Sequence, residues 1–459
     1  MSDCTKLDGA VHVDSGAIGS ILLRYAWPIL LSQLAQEMYN VADCAVVGRF
    51  AGEFALAAAG TAALPMSVAV NFFVGFSSGA STLIASLFGA RRHDDLTRMI
   101  SSVMRMTFVS GLLLSAVIFL LSGSYLTFTA VPADVAPFAL VYLRICSLGV
   151  CAQMINNMAT AVLRSVGDSR SPMRLFLFSA AVNLAGDLLL VVGMHAGIAG
   201  AAAATAASQW ILSVMLLLRL RRLDPDIRFF GSSSGSDTRE QLMTVLGRGI
   251  PAGLQAFFMS VSSILIRFYI NGFGADAIGG MNVFARIEGL CYLPSFAYGI
   301  ALTAFVGQNL GAGQPERIRD SVRLSIRWMF IIMLPLTGIL CVLAPVLARI
   351  FTEDSGIIMN VAEAVRYTLP LYTVYAVNQV YLGAVKGMGN TVYPMKCTFV
   401  CYALFRVIWC ALLIGRFHTM KVVYLSYAVS FLIMTAMILP VYIRMIRREC
   451  SPAGTHADA

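Results

Sequence analysis

Charge is scarce in this chain. Only 12% of its 459 residues are Asp, Glu, Lys or Arg and 58% are hydrophobic, against about 25% charged and roughly 45–50% apolar in an ordinary soluble domain. A water-soluble fold of this length is excluded. Other absences narrow the reading further. The ten cysteines fall mostly inside apolar stretches, which argues against a disulfide framework. Cys397 and Cys401 share a helix face, yet no histidine or further cysteine stands near them in sequence to complete a metal site. His12, His93, His195, His418 and His456 fall in tails, loops or segment ends. GSSSGS lacks the Lys-Ser/Thr ending of a phosphate-binding loop, and no nucleophile is paired with a base. Neither an enzyme nor a cofactor is expected. The opening MSDCTKLDGAVHVDSG carries acids and has no apolar core or small-residue cleavage site, so the first apolar segment is expected to be retained.

What is present is apolar sequence in long runs. Twelve segments reach the length of about 20 residues that a membrane-crossing helix needs: 21–44, 54–86, 99–121, 137–164, 171–193, 196–220, 247–271, 277–308, 323–350, 361–387, 393–416 and 420–445. The expected fold is therefore an all-α polytopic membrane protein. The net charge of +9 would suggest nucleic acid in a soluble protein, but here the basic residues gather at alternate segment ends. Arg91, Arg92 and Arg98 form one group; others are Arg164, Arg170 and Arg174, then Arg219, Arg221 and Arg222, then Arg317, Arg319 and Arg323, then Lys386 and Lys396, then Arg444, Arg447 and Arg448. The intervening loops, such as SGSYLTFTAVPADVAP, are nearly free of them. Basic loops stay on the cytoplasmic side, and an even number of crossings puts both termini there.

The chain also repeats itself. Around RLRRLDPDIRFFGSSSGSDTREQ it turns polar and Gly/Ser-rich, which divides it into a tail (1–20), an N-lobe (21–220), a linker (221–246), a C-lobe (247–445) and a second tail (446–459). Pro28 in WPILLSQ pairs with Pro251 in GIPAGLQ, and LRSVGDSRSPMR (163–174) aligns without a gap to VKGMGNTVYPMK (385–396). Six crossings separate the copies, so the repeats run parallel and predict two six-helix bundles related by a pseudo-twofold axis along the membrane normal. That arrangement suits an alternating-access carrier.

A carboxylate at mid-bilayer costs on the order of 2.5–3.5 kcal/mol and persists where a cavity, partner or bound ion compensates. Asn183 and Asp187 interrupt the apolar run SAAVNLAGDLLLVVG at a spacing of four, on one helix face. Gln36, Tyr39 and Asp43 share a face of the first segment, Asn156 and Asn157 lie in the fourth, and Thr205 lies in the small-residue run GAAAATAAS. At the fixed repeat spacing the second copy places Ile266 near the position of Asp43, Phe405 at that of Asn183 and Trp409 at that of Asp187, so the site is expected in one lobe. Interhelical hydrogen bonding alone is the competing reading. In the C-lobe, Arg267, Glu288 and Arg406 are expected to pair with one another, the sharper alternative being contact of Glu288 with a cationic substrate.

PILLSQLAQEMYNVADCAVVGRFAGEFALAAAG, the LRSVGDSRSPM turn, NLAGDLLLVVGMHAGIAGAAAATAAS and FVGQNLGAGQPERIR together resemble the multidrug and toxic compound extrusion (MATE) family over roughly residues 20–445. The resemblance implies a proton or sodium site in the N-lobe, with Asp43, Asn183, Asp187, Thr205 and Asn157 at matching positions, Gln36 and Tyr39 as polar neighbours, and Pro28 as the residue that lets the first helix bend. Other branches of the family use a carboxylate in the seventh or tenth helix, which this chain lacks. The implied function is efflux of organic, often cationic, compounds across the cytoplasmic (inner) membrane by antiport with H+ or Na+. Na+ would sit at Asp43 and Asp187; no other metal, no cofactor and no nucleic acid is implied. The partners expected are small organic molecules and the lipid bilayer, around a monomer. A flippase for lipid-linked precursors, the alternative within the same superfold, would be expected to carry a more cationic cavity.

Overall fold

A computed structural model of the chain describes residues 16–129, 131–227, 229 and 236–451. Both extreme tails and residues 230–235 of the Gly/Ser-rich connection lie outside the described residues. Within them every regular element is helical. Lipid offers backbone N–H and C=O groups no partner, and a helix satisfies them internally.

Six helices come first: α1 (Ile18–Val46), α2 (Glu53–Gly89), α3 (His93–Phe128), α4 (Ala136–Ser165), α5 (Arg170–Asp187) and α6 (Gly197–Leu223). A wide π turn extends α1 over Val47–Ala51, and another extends α5 over Leu188–Gly193. Then follow α7 (Ser236–Asn271), α8 (Ala275–Gly311), α9 (Pro315–Arg349), α10 (Ser355–Thr368), α11 (Tyr372–Gly387), α12 (Val392–Thr398), α13 (Phe405–Phe417) and α14 (Lys421–Glu449). Eleven helices among the described residues are long and apolar enough to cross a bilayer. The twelfth crossing is made in two pieces, α10 and α11. The 3-10 turn Leu369–Leu371 between them contains Pro370, which lacks an N–H and whose ring obstructs the helical ladder. Asp354 starts α10 by accepting from the backbone N–H of Gly356 (2.7 Å) and Ile357 (3.1 Å), as an N-cap should.

The chain forms two compact units, one from Trp27 to Gly249 and one from Ile250 onward that takes in residues 16–26. In the first, α4 packs against α2, α3 and α6, and α5 lies on α6. Phe88, Met158, Val162 and Leu216 fill one end, and Val47, Ala58, Leu143 and Val191 the other. Small residues set the α5–α6 approach: a Cβ on Gly186 would stand 3.0 Å from that of Ala204. In the second unit α8 lies against α11, and α14 packs on α11 and α13. Here the backbones nearly touch, since a Cβ on Gly383 would meet the carbonyl oxygen of Gly299 at 2.6 Å.

The structure revises the register of the repeat. The buried face of α5 carries Ser179, Asn183 and Asp187. Beyond α12, a π turn at Phe399–Leu404 leads into α13, and the buried series there is Tyr402, Arg406 and Cys410. A π turn holds one residue more than an α turn, so the fixed spacing fails beyond it. Arg406, not Phe405, stands where the first copy has Asn183, and Cys410, not Trp409, where it has Asp187. The second copy is thus not uniformly apolar at these positions.

Candidate functional site

Four helices of the first unit supply the polar cluster. On α5, Asn183 and Asp187 are one turn apart and buried, Asp187 completely. Their surroundings fix the carboxamide: its nitrogen donates to Asp187 Oδ2 at 3.0 Å while its oxygen accepts from the backbone N–H of Thr205 on α6 at 3.2 Å. The close α5–α6 packing at Gly186 brings Thr205 within reach. Tyr39 of α1 lies beside the Thr205 side chain. One turn further along α1, the carboxyl of Asp43 lies within interacting reach of that of Asp187.

Two carboxylates in contact repel unless a proton or cation lies between them. Asp43 Oδ1 and Asp187 Oδ1 are each buried, and neither has a hydrogen-bond donor among the described residues. The cluster offers oxygens from two carboxylates, an amide, a hydroxyl and a phenol. Such a set can take up a proton or surround a hard monovalent cation.

Of the residues read from the sequence, Asp43, Asn183, Asp187, Thr205 and Tyr39 come together. Asn156 is committed elsewhere, donating to the carbonyl oxygen and Oε1 of Gln209 at 3.0 and 2.8 Å and accepting from Ser213 at 2.8 Å. Asn157 has a buried Nδ2 with no partner among the described residues. Gln36 bonds to Asn40 along its own helix at 3.3 Å. Two residues escaped sequence reasoning. Tyr142 and Cys146 stand one turn apart on α4, and both lie close enough to Asp43 to feel its charge. Their spacing of four was visible, but a tyrosine and a cysteine in an apolar run read as packing. Helix depth is the signal that finds them: Asn157 lies about 16 Å further along α4 than Cys146, at 1.5 Å per residue.

The C-lobe charges do not form the expected ion pairs. Among the described residues no ion pair joins Glu288 to Arg406 or Arg267, and Arg267 is exposed. Instead Glu288 accepts a hydrogen bond from Tyr372. Arg406 lies over the rings of Tyr427 and Tyr402, 4.1 and 4.6 Å from their centroids, and its Nε donates to Ser430 at 2.9 Å.

A MatE family model matches residues 28–189 and again residues 251–412, two stretches that coincide with the internal repeat. A probable multidrug resistance protein of Bacillus subtilis, YoeA, is 24% identical over 373 residues, covering 80% of this chain and 81% of its own length. An FAD transporter of Shewanella oneidensis is 23% identical over 354 residues, 75% of this chain and 76% of its own. Among solved structures, an outward-facing conformation of a multidrug resistance MATE family transporter of the MOP superfamily superposes with a TM-score of 0.88 at 19% identity, covering 96% of this chain and 98% of that one.

Proposed function

The chain belongs to the MatE family and is a membrane transporter rather than an enzyme, and from that premise we propose that it expels organic compounds, cations among them, by antiport with H+ or Na+ bound at the Asp43–Asp187 pair. The observation that carries this reading is the close approach of the two carboxyl groups, each keeping a buried oxygen without a donor among the described residues. In the cycle we envisage, the pair takes up the ion from outside, its negative charge is reduced, and a cationic substrate is released there. Return to the inward-open state lets the ion leave and fresh substrate enter. Membrane potential adds roughly 2.3 kcal/mol per elementary charge per 100 mV, enough for one inward ion to drive useful accumulation.

Pro28, buried within α1, supports a bending role for this helix, because it removes one ladder hydrogen bond. The basic loops support a cytoplasmic location for both termini in the cytoplasmic membrane, and a self-contained site within one unit fits a monomer. The lipid-linked flippase gains no support from the relatives. One relative is named for FAD, an anionic aromatic compound, so membership leaves substrate charge open.

Transport in reconstituted vesicles tests the proposal, with a pH gradient and a sodium gradient imposed separately and a fluorescent organic cation as cargo. Efflux driven by one gradient is expected. Failure of both gradients to move any dye or drug tested removes the antiport reading.

A further inference from the structure

The second unit holds a cation that the proposed cycle does not use. Arg406 is 9% exposed and stands at the position equivalent to Asn183. Only its Nε is hydrogen-bonded among the described residues, to Ser430; its two terminal nitrogens have no protein partner there. Glu288 is near enough for its charge to be felt, yet it lies beyond ion-pair distance and accepts from Tyr372. An arginine at membrane depth without a direct ion-pair partner costs on the order of 2.5–3.5 kcal/mol on insertion scales. Cation–π contact with Tyr427 and Tyr402, and with Phe431 at 5.6 Å, offsets part of that cost. It supplies no negative charge.

The geometry also limits what can approach. Three rings crowd the guanidinium carbon, and the two terminal nitrogens left without a partner among the described residues form an N–H edge that matches a planar carboxylate in two parallel hydrogen bonds. The surroundings are aromatic, with Tyr372 and Tyr402 each in edge-on ring contact with Phe431. We infer that Arg406 is the anion-recognising residue of a substrate site in the C-lobe, which takes flat aromatic compounds bearing a carboxylate, as organic anions or zwitterions. The inference rests on the transporter reading above and extends it from cations to aromatic acids. A lipid phosphate shares the anionic chemistry, but aromatic walls favour an aromatic ligand.

Rhodamine 110, a free carboxylate, and rhodamine 123, its methyl ester, differ only in this group. Their binding to the purified protein in phosphatidylcholine nanodiscs, followed by fluorescence anisotropy, decides the question without requiring transport. The unsubstituted protein is expected to bind the acid more tightly than the ester. Arg406→Gln should weaken the acid by about tenfold or more, as expected for a lost charge-assisted hydrogen bond, while leaving the ester within about twofold, which doubles as the folding control. Arg406→Lys keeps the charge but not the fork and should fall between. Equal binding of the two dyes by the unsubstituted protein, or an equal loss of both in Arg406→Lys, overturns the inference. Displacement of rhodamine 110 by phosphatidylglycerol added to the discs reassigns the site to lipid and overturns it too. Gradient-driven efflux of rhodamine 123 in vesicles tests the antiport reading independently, so either reading can fail alone.

Discussion

Asp43 and Asp187 meet carboxyl to carboxyl across α1 and α5, and Asn183 holds one of them by an amide hydrogen bond of 3.0 Å. This juxtaposition separates ion exchange from structural cross-linking. Asp187→Asn and Asp43→Asn each preserve size and hydrogen-bonding capacity but remove the titratable charge. Both variants are expected to insert at normal levels and to lose coupled efflux. Wild-type efflux rates from Asp187→Asn would return the pair to a packing role.

The sign of the ion dependence follows from the same pair. If the external ion is H+, raising external pH withdraws the proton that displaces substrate, and efflux from vesicles should fall as pH rises. If it is Na+, efflux at constant pH should rise and saturate with external sodium. Asp187→Asn should abolish whichever dependence the unsubstituted protein displays.

Tyr142 and Cys146 lie on α4 near enough to Asp43 to feel its charge. Tyr142→Phe removes one hydroxyl beside the carboxyl pair and should weaken apparent affinity for the coupling ion by about threefold to tenfold, the scale of one net hydrogen bond. Efflux rate against ion concentration reads this shift, with maximal rate little changed. An unaltered curve would place Tyr142 outside the site.

Pro28→Ala should restore a helical hydrogen bond in α1 and slow turnover without reducing insertion. Single-turnover and steady-state efflux together distinguish slowed cycling from weakened binding. Undiminished transport at normal expression would remove the hinge role.

Gly383→Ala in the α8–α11 contact has no room, since its Cβ would lie 2.6 Å from the Gly299 carbonyl. The two helices must separate, and the second unit should lose about 1–3 kcal/mol of stability, the usual cost of overpacking. A lowered thermal midpoint for the purified protein would reveal it. Phe405→Leu, at a half-buried position beside the Arg406 face, should be mild in the same assay.

The fold was legible because lipid admits few solutions: twelve apolar runs and a repeat were enough to expect two bundles of helices. The carboxylates were legible for the converse reason, as Asp43, Asn183 and Asp187 interrupt apolar sequence at helical spacing. Tyr142 and Cys146 were not, because their side chains serve packing as readily as chemistry and only depth along α4 distinguishes them. Pro370 lay in plain view, yet a proline in an apolar run is compatible with a kink or a break, and the backbone alone decides. The position of Arg406 was hidden most completely, since residue spacing assumes a uniform helical pitch.

Both copies of the repeat contain one wide turn in the corresponding crossing, at Leu188–Gly193 in the first and Phe399–Leu404 in the second. Relative to the gapless match before them, the second lies about three helical turns earlier. Between those two heights the copies run one residue out of phase, and that stretch contains Asn183 and Asp187 in one and Arg406 and Cys410 in the other. A duplicated helix can therefore exchange an amide and an acid for a guanidinium and a thiol on its inner face partly by relocating a single loose coil, with no residue gained or lost at that step.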